Sequence, residues 1–177
     1  AVDGESWSSR RIALSQVQIE SDSMAVTKYF LDDHTEGEII QCGSYEVSKE
    51  EVIAFATKWD PQPWHIDEEA AKTSFFGGLT ACSAHIFSIF CTTSPQWQNG
   101  VTMQAMASLG FDEMRMLKPV YAGETVRCVT TVDSVRASNS KPDRGIVVYA
   151  SELLNQANEP VFSIKCTTLM ARDPALQ

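Results

Sequence analysis

The residues best suited to chemistry lie in one short run, Asp60-Pro-Gln-Pro-Trp-His-Ile-Asp67. Asp60 and His65 are close in sequence, and Pro61 and Pro63 disfavour a continuous helix between them, because proline restricts both itself and the preceding residue. An Asp-Pro turn can curl the segment so that carboxylate and imidazole share a water, which is a general acid–base arrangement. Spacing alone favours a proline-rich turn with His65 packed on Trp64, and leaves the catalytic pair as the alternative.

The elements before this run predict how Asp60 is positioned. Residues 39–47 have the composition of a strand, and Ser48 followed by Glu51 predicts a capping box at the start of a helix. The apolar residues of this helix recur at helical spacing, which gives it one apolar face: Val52, Phe55, Ala56 and Trp59. The prolines end the helix at Asp60, and Asp67 is a plausible N-cap for another helical turn.

A second, more apolar helix follows the hinge Phe75-Phe76-Gly77-Gly78. It is predicted to begin around Ala81 and to end at Ser94-Pro95, and its near lack of a polar face predicts burial on most sides. Four strand-like segments with intervening turns come next: residues 103–117, 125–136, 145–154 and 160–172. The third of these is apolar enough to lie centrally, so the order of elements predicts an α+β domain with an antiparallel meander.

Bulk properties restrict the class of protein. The 177 residues suit one domain, predicted at 24–177 after a flexible leader at 1–23, and Met24 is a possible natural start. A net charge of −9 and a pI near 4.7 disfavour nucleic-acid binding. No apolar run approaches the ~20 residues of a membrane span, and the leader lacks the apolar segment of a signal peptide.

The five cysteines form no Cys-x-x-Cys pair and lie in apolar or strand-like stretches. We therefore expect small buried side chains rather than a metal site or a disulfide framework, and a reducing, cytoplasmic location. Of the two remaining histidines, His34 lies in an Asp-rich loop and is expected to be solvated. His85 lies on the apolar helix and is expected to be a satisfied core histidine rather than a second base.

The run from Phe55 to His85 resembles the MaoC-like acyl dehydratases, the (R)-specific enoyl-CoA hydratases of type 2. The family pattern Asp-x-Asn-Pro-x-His is matched at Asp60, Pro63 and His65, whereas Gln62 stands where asparagine is usual. The resemblance extends over roughly residues 28–172. Outside the Asp/His motif it is seen in three short segments: Tyr29-Phe-Leu-Asp-Asp33, Leu117-Lys-Pro-Val120 and Gly123-Glu124.

The resemblance implies a hot-dog fold, in which a curved antiparallel sheet wraps around one long buried helix. It implies reversible addition of water to a trans-2-enoyl-CoA to give an (R)-3-hydroxyacyl-CoA, with Asp60 and His65 as the catalytic residues. The backbone N–H of Ser83, where the family usually has glycine, would bind the thioester oxygen, and Gly78 and Gln62 would be further substrate contacts. No metal or redox cofactor is implied, since coenzyme A belongs to the substrate.

The resemblance also implies a homodimer or an assembly of dimers, which would pair the exposed edges of the sheet. Two other functions remain open: a hot-dog acyl-CoA thioesterase, and a non-catalytic acyl-CoA-binding subunit. The acyl group of the substrate also remains open between short fatty, branched and dicarboxylic forms.

Overall fold

An antiparallel sheet and one apolar helix form the frame of the computed structural model, which describes residues 27–98 and 100–176. The predicted leader at 1–23 lies outside the described residues. The strands are β1 (Thr27–Tyr29), β2 (Ile39–Glu46), β3 (Val101–Met103), β4 (Ala105–Met116), β5 (Thr125–Ala137), β6 (Arg144–Leu154) and β7 (Pro160–Ala171). The α-helices are α1 (Lys49–Trp59), α2 (Pro63–Ile66), α3 (Glu68–Thr73) and α4 (Ser83–Thr93). Short 3-10 turns lie at Leu31–Asp33 and Pro174–Leu176.

Five of the strands form one antiparallel sheet in the order β2-β5-β6-β7-β4, and β1 pairs with β3 in a small parallel ribbon. The prediction that the third of the late strands lies centrally is confirmed, because β6 is the middle strand. Burial alternates along β5, β6 and β7, so one face of each strand faces the core. The predicted α+β class is therefore confirmed.

The helix α4 packs on the sheet through its apolar residues, among them Ile86, Ile89 and Phe90. It begins at Ser83, two residues later than predicted, with Cys82 as its N-cap. The prediction of burial on most sides needs a correction, because Ser83, Ala84, Cys91 and Thr92 are exposed. Ala84 and Cys91 are seven residues apart and therefore lie close to the same side of the helix, with Ser83 and Thr92 at the two margins of that side. The four residues together form one open face of α4.

At the start of α1, the predicted capping role of Ser48 is confirmed and that of Glu51 is not. The Ser48 hydroxyl accepts a hydrogen bond from the Glu51 backbone N–H at 3.3 Å. The Glu51 carboxylate, which a capping box would direct to the Ser48 backbone, instead accepts from the Tyr45 hydroxyl at 2.6 Å. This bond holds the start of α1 against β2. It is also the largest cause of the raised pKa of Tyr45, about 12, and burial adds to it.

Candidate active site

Asp60 lies where α1 stops. Its backbone N–H makes the last helical bond, to the Ala56 carbonyl at 2.9 Å, and its φ and ψ of −155° and 72° leave the helix. Pro61 follows and cannot continue the ladder because it has no N–H. The Asp60 side chain is 40% exposed and faces the negative end of the helix dipole, which is an unfavourable place for a carboxylate.

His65 lies on α2, a single helical turn that begins at Pro63. The prolines prevent a continuous helix between Asp60 and His65, as expected, but Pro63 itself starts a short one. Proline is tolerated at the first position of a helix, where its missing N–H has no partner to lose. The turn directs the imidazole inward, so that the His65 side chain is only 10% exposed.

The backbone of Thr80 fixes the orientation of the His65 ring. Thr80 and Tyr121 form an isolated antiparallel bridge, in which Ala81 N–H donates to the Val120 carbonyl and Ala122 N–H to the Leu79 carbonyl. In this pattern the Thr80 carbonyl points away from residues 120–122. It lies 2.7 Å from His65 Nδ1. Because a carbonyl can only accept, Nδ1 carries the proton and donates it to Thr80.

Asp60 and His65 approach each other without a direct hydrogen bond. Asp60 Oδ2 is 3.9 Å from His65 Nε2, which is longer than the 2.7–3.2 Å typical of such bonds. One water oxygen at about 2.8 Å from each atom fits this separation. The geometry is therefore compatible with a water held by both side chains, and the catalytic role of the pair stays a prediction.

The first turn of α4 follows shortly after Thr80, whose carbonyl binds His65. Ser83 is three positions after Thr80, a span of at most roughly 10 Å. Within the described part of the chain, the backbone N–H groups of Ser83 and Ala84 have no hydrogen-bond acceptor, as is usual in the first turn of a helix. Ser83 is exposed, so its side chain does not fill the core.

The two remaining predicted contact residues lie at different places. Gln62 is the exposed N-cap of α2, and its backbone carbonyl accepts from the His65 N–H at 2.9 Å. Gly78 packs against the Tyr121 ring, since a β-carbon there would lie 3.4 Å from two ring carbons. Gly77 has a φ of +69°, a conformation that glycine adopts at little cost. The glycines therefore bring the chain against Tyr121, and the substrate roles of Gln62 and Gly78 stay predictions.

The expectation that His34 is solvated is wrong, because it is 8% exposed. Its Nδ1 donates to the Phe30 carbonyl at 2.7 Å, so its Nε2 accepts from the Tyr149 hydroxyl at 2.6 Å. Burial lowers the pKa of His34 and raises that of Tyr149. The 3-10 turn that begins at Leu31 places His34 in the core. The acidic residues on the same turn made the segment look like an exposed loop in the sequence.

His85 is a core histidine as expected, but it is not fully satisfied. Its ring stacks on Phe55 at 4.6 Å between centroids, and its Nε2 lies 3.3 Å from Glu51 Oε1. Its buried Nδ1 has no hydrogen-bond partner among the described residues. Burial lowers the pKa of His85, and the nearby Glu51 carboxylate acts in the opposite direction.

A cavity lies between the C-terminal half of α4 and the sheet, apart from the Asp60–His65 pair. It has a volume of about 220 Å³, and its lining residues carry no charge. Its polar wall is made of hydroxyl-bearing residues: Ser94 at the end of α4, and Ser108, Thr130, Tyr149, Ser151 and Thr168 on the sheet. Thr130 and Ser151 lie opposite each other on β5 and β6 and share a hydrogen bond of 2.8 Å. Polar residues at inward positions of these strands were the signal by which the sequence could have revealed this wall.

Four of the five cysteines are buried, as expected, and Cys91 on the open face of α4 is exposed. Within residues 27–98 and 100–176, the structure contains no group of three or more His, Cys, Asp or Glu side chains that could hold a metal ion. Within the same residues, no helix is long and apolar enough to cross a membrane.

Comparisons with known proteins agree with this fold and with the resemblance seen in the sequence. The model of the MaoC-like domain family matches residues 33–152, and the chain belongs to this family. The structure is similar to a MaoC-like dehydratase from Rhodospirillum rubrum, with 32% identity and a TM-score of 0.74, over 82% of this chain and 99% of that one. It also matches Rv0216 of Mycobacterium tuberculosis, described as a double hot-dog fold, with 14% identity and a TM-score of 0.68, over 83% of this chain and 45% of that one. The predicted hot-dog fold is thus confirmed.

Two curated proteins are similar in sequence. The protein YdeM of Bacillus subtilis is 27% identical over 144 residues, which are 80% of this chain and 99% of that protein. Mesaconyl-CoA hydratase of Cereibacter sphaeroides is 37% identical over 76 residues, which are 42% of this chain and only 22% of that enzyme. These similarities support a hydratase family.

Two contacts of the site were missed by the sequence analysis. The Thr80 carbonyl is a backbone group, and its position depends on the bridge to Tyr121, for which the sequence carries no local signal. The Trp64 indole N–H lies 3.1 Å from His65 Nε2. The neighbouring tryptophan was expected only to pack on the imidazole, although an indole N–H that is partly buried usually finds an acceptor.

Proposed function

We propose that this protein is a hydro-lyase that adds water reversibly to the double bond of a trans-2-enoyl-CoA and gives an (R)-3-hydroxyacyl-CoA. The observation that carries the proposal is the separation of 3.9 Å between Asp60 Oδ2 and His65 Nε2, beside a histidine tautomer fixed by Thr80. Membership of the MaoC-like family and the similarity to a mesaconyl-CoA hydratase support it.

In the proposed reaction, Asp60 and His65 hold one water over C3 of the enoyl group. His65 Nε2 accepts a proton as the water oxygen bonds to C3, and the carbon–carbon π bond becomes the enolate of the thioester. Return of that proton to C2 on the same face completes a syn addition, so atoms and charge balance. Pairs of this kind typically contribute ~10²–10⁴-fold to a rate.

The enolate oxygen needs a donor, and we assign the backbone N–H of Ser83 to it. This group lies at the positive end of α4 and has no partner among the described residues, and preorganised donors of this kind stabilise developing negative charge. Backbone donation does not require the glycine that the family usually has at this position. We propose that no metal or redox cofactor takes part, and that coenzyme A enters only with the substrate.

We further propose that two copies of the chain associate, in the cytoplasm, through the edge strand β4. This strand exposes large apolar side chains: Met106, Leu109, Phe111, Met114 and Met116. Exposed apolar edges of a sheet favour pairing with a second chain. Replacing Leu109 with aspartate should convert a dimer into a monomer in analytical ultracentrifugation, and a wild-type protein that sediments as a monomer at micromolar concentration would contradict this assembly.

Incubation of the purified protein with crotonyl-CoA tests the function. We expect loss of the enoyl absorbance with formation of (R)-3-hydroxybutyryl-CoA, identified by chiral chromatography. Release of free thiol without hydration would indicate a thioesterase instead. Binding of the thioester without either product would indicate an acyl-CoA-binding subunit. A panel of longer, branched and dicarboxylic enoyl-CoA substrates then defines the acyl group.

A further inference from the structure

Both ring nitrogens of His65 are engaged in the structure. Nδ1 donates to the Thr80 carbonyl at 2.7 Å, which leaves Nε2 with a lone pair and no proton in the neutral ring. The Trp64 indole N–H, which can only donate, lies 3.1 Å from Nε2. Both contacts therefore require the tautomer with the proton on Nδ1. In this tautomer the Trp64 indole N–H donates to Nε2 and caps its lone pair.

The capped lone pair is the one that the proposed hydration requires. A neutral imidazole has a single acceptor nitrogen, and in His65 this nitrogen also faces Asp60 Oδ2 at 3.9 Å. A water held between Asp60 and His65 must give its proton to the same lone pair. The indole N–H and the attacking water therefore compete for Nε2.

The surroundings of Trp64 allow the indole to leave. It lies on the single turn α2, is only partly buried, and makes a tilted ring contact with Phe76 at 6.3 Å between centroids. Its N–H has no other hydrogen-bond acceptor among the described residues. Rotation of the side chain breaks one neutral hydrogen bond, which corresponds to about a two- to tenfold shift of the equilibrium, and it also moves the indole from its packing against the core.

We propose that Trp64 is a positioning residue that caps His65 Nε2 in the free enzyme, and that binding of an acyl-CoA thioester displaces the indole so that water gains access to the base. This inference rests on the proposed function, because it names the residue that controls the base of the same site. It assigns to Trp64 a role in the coupling of substrate binding to activation of the histidine.

The kinetic test is Trp64→Phe, which keeps an aromatic ring against Phe76 and removes the N–H. Because the cap exists only in the free enzyme, its removal should raise kcat/KM for crotonyl-CoA about two- to tenfold through a lower KM, with kcat nearly unchanged. The matched control is Trp59→Phe, since Trp59 is exposed and lies at the end of α1. Neither kinetic constant should change in the control.

A second measurement does not depend on turnover. The indole N–H resonance of Trp64, assigned by its loss in Trp64→Phe, is followed by NMR during titration of the wild-type protein with butyryl-CoA, which has no double bond to hydrate. We expect this resonance to shift at saturation while that of Trp59 stays in place. Displacement also exposes the indole N–H to water, so its exchange with solvent should become faster at saturation, whereas an indole that keeps its bond to His65 would stay protected.

Three results would overturn the proposal: an unmoved Trp64 resonance at saturating butyryl-CoA, a loss of tenfold or more in kcat for Trp64→Phe, or no binding of butyryl-CoA. The last would also remove the proposed function. A protein that binds butyryl-CoA but hydrates no enoyl-CoA would remove the hydratase proposal alone, and the NMR titration would still decide the role of Trp64.

Discussion

Replacement of Asp60 by asparagine should separate activity from stability. The substitution keeps the size of the side chain and removes the carboxylate that lies 3.9 Å from His65 Nε2. If both groups hold the attacking water, kcat should fall by ~10²–10⁴-fold, which corresponds to about 3–5 kcal/mol of transition-state stabilisation. The assay is hydration of crotonyl-CoA, followed by loss of enoyl absorbance.

The expected change in stability has the opposite sign. Asp60 is the C-cap of α1, where a negative charge opposes the helix dipole. Relief of this conflict is typically worth about 0.3–1 kcal/mol, and here we expect the lower end because the side chain is 40% exposed. The melting temperature of Asp60→Asn should therefore stay the same or rise slightly, which is the pattern of a residue kept for function.

His65→Asn is the matching change at the base. Asparagine carries an N–H near the position of Nδ1, so the bond to the Thr80 carbonyl can persist while the acceptor Nε2 is lost. The double variant should be little worse than either single one, because groups that act as a unit are not additive. His34→Asn is the control, since this buried histidine also donates to a backbone carbonyl, and it should lower stability but not kcat. Asp60→Asn that keeps wild-type kcat, or that loses activity only in proportion to folded protein, would refute the shared-water mechanism.

Three further predictions concern stability. Ser151→Ala should cost about 1–3 kcal/mol in chemical denaturation because it removes the buried partner of Thr130, and the Ser151→Ala/Thr130→Val pair should cost less than the sum. Burial lowers the pKa values of His34 and His85 in the folded state, so the unfolded chain binds more protons. The free energy of unfolding should therefore have its full value above pH ~6.5 and fall as the pH drops below it. The fall should be up to ~1.4 kcal/mol per pH unit for each histidine. The slope of unfolding free energy against pH should be reduced in His85→Leu. Deletion of residues 1–23 should leave melting temperature and turnover nearly unchanged, and a large drop in either would contradict the prediction of a dispensable leader.

The fold was largely predictable because its signals are local. The N-cap at Asp67 and the late strands are properties of single segments and appear close to where they were predicted. The apolar face of α1 is confirmed at Val52 and Ala56, whereas Trp59, at the last position of the helix, is exposed. Asp67 indeed accepts from the Ala70 N–H at 2.7 Å. The open face of α4 was not predicted because small residues such as Ala84 and Cys91 are typical of buried helices as well as of surfaces that await a partner.

The site was predictable in its residue types but not in its hydrogen bonds. The Asp-x-x-Pro-x-His spacing identified Asp60 and His65, whose atoms do lie close together. The histidine tautomer depends on the Thr80 carbonyl, fifteen residues away in sequence, and the burial of His34 depends on Tyr149, 115 residues away. Contacts of this kind follow from the pairing of distant segments, which no local pattern encodes.

The two prolines give the site its geometry by ending one helix and starting another. Pro61 releases the chain from α1 directly after Asp60, so the acid lies at a helix end and stays accessible to water. Pro63 begins α2, whose single turn directs His65 into the core toward the Thr80 carbonyl. A continuous helix through the same residues would place positions 60 and 65 about 140° apart around its axis, since each residue turns it by roughly 100°. The break between α1 and α2 is therefore what brings a partly exposed carboxylate to within 3.9 Å of a buried imidazole.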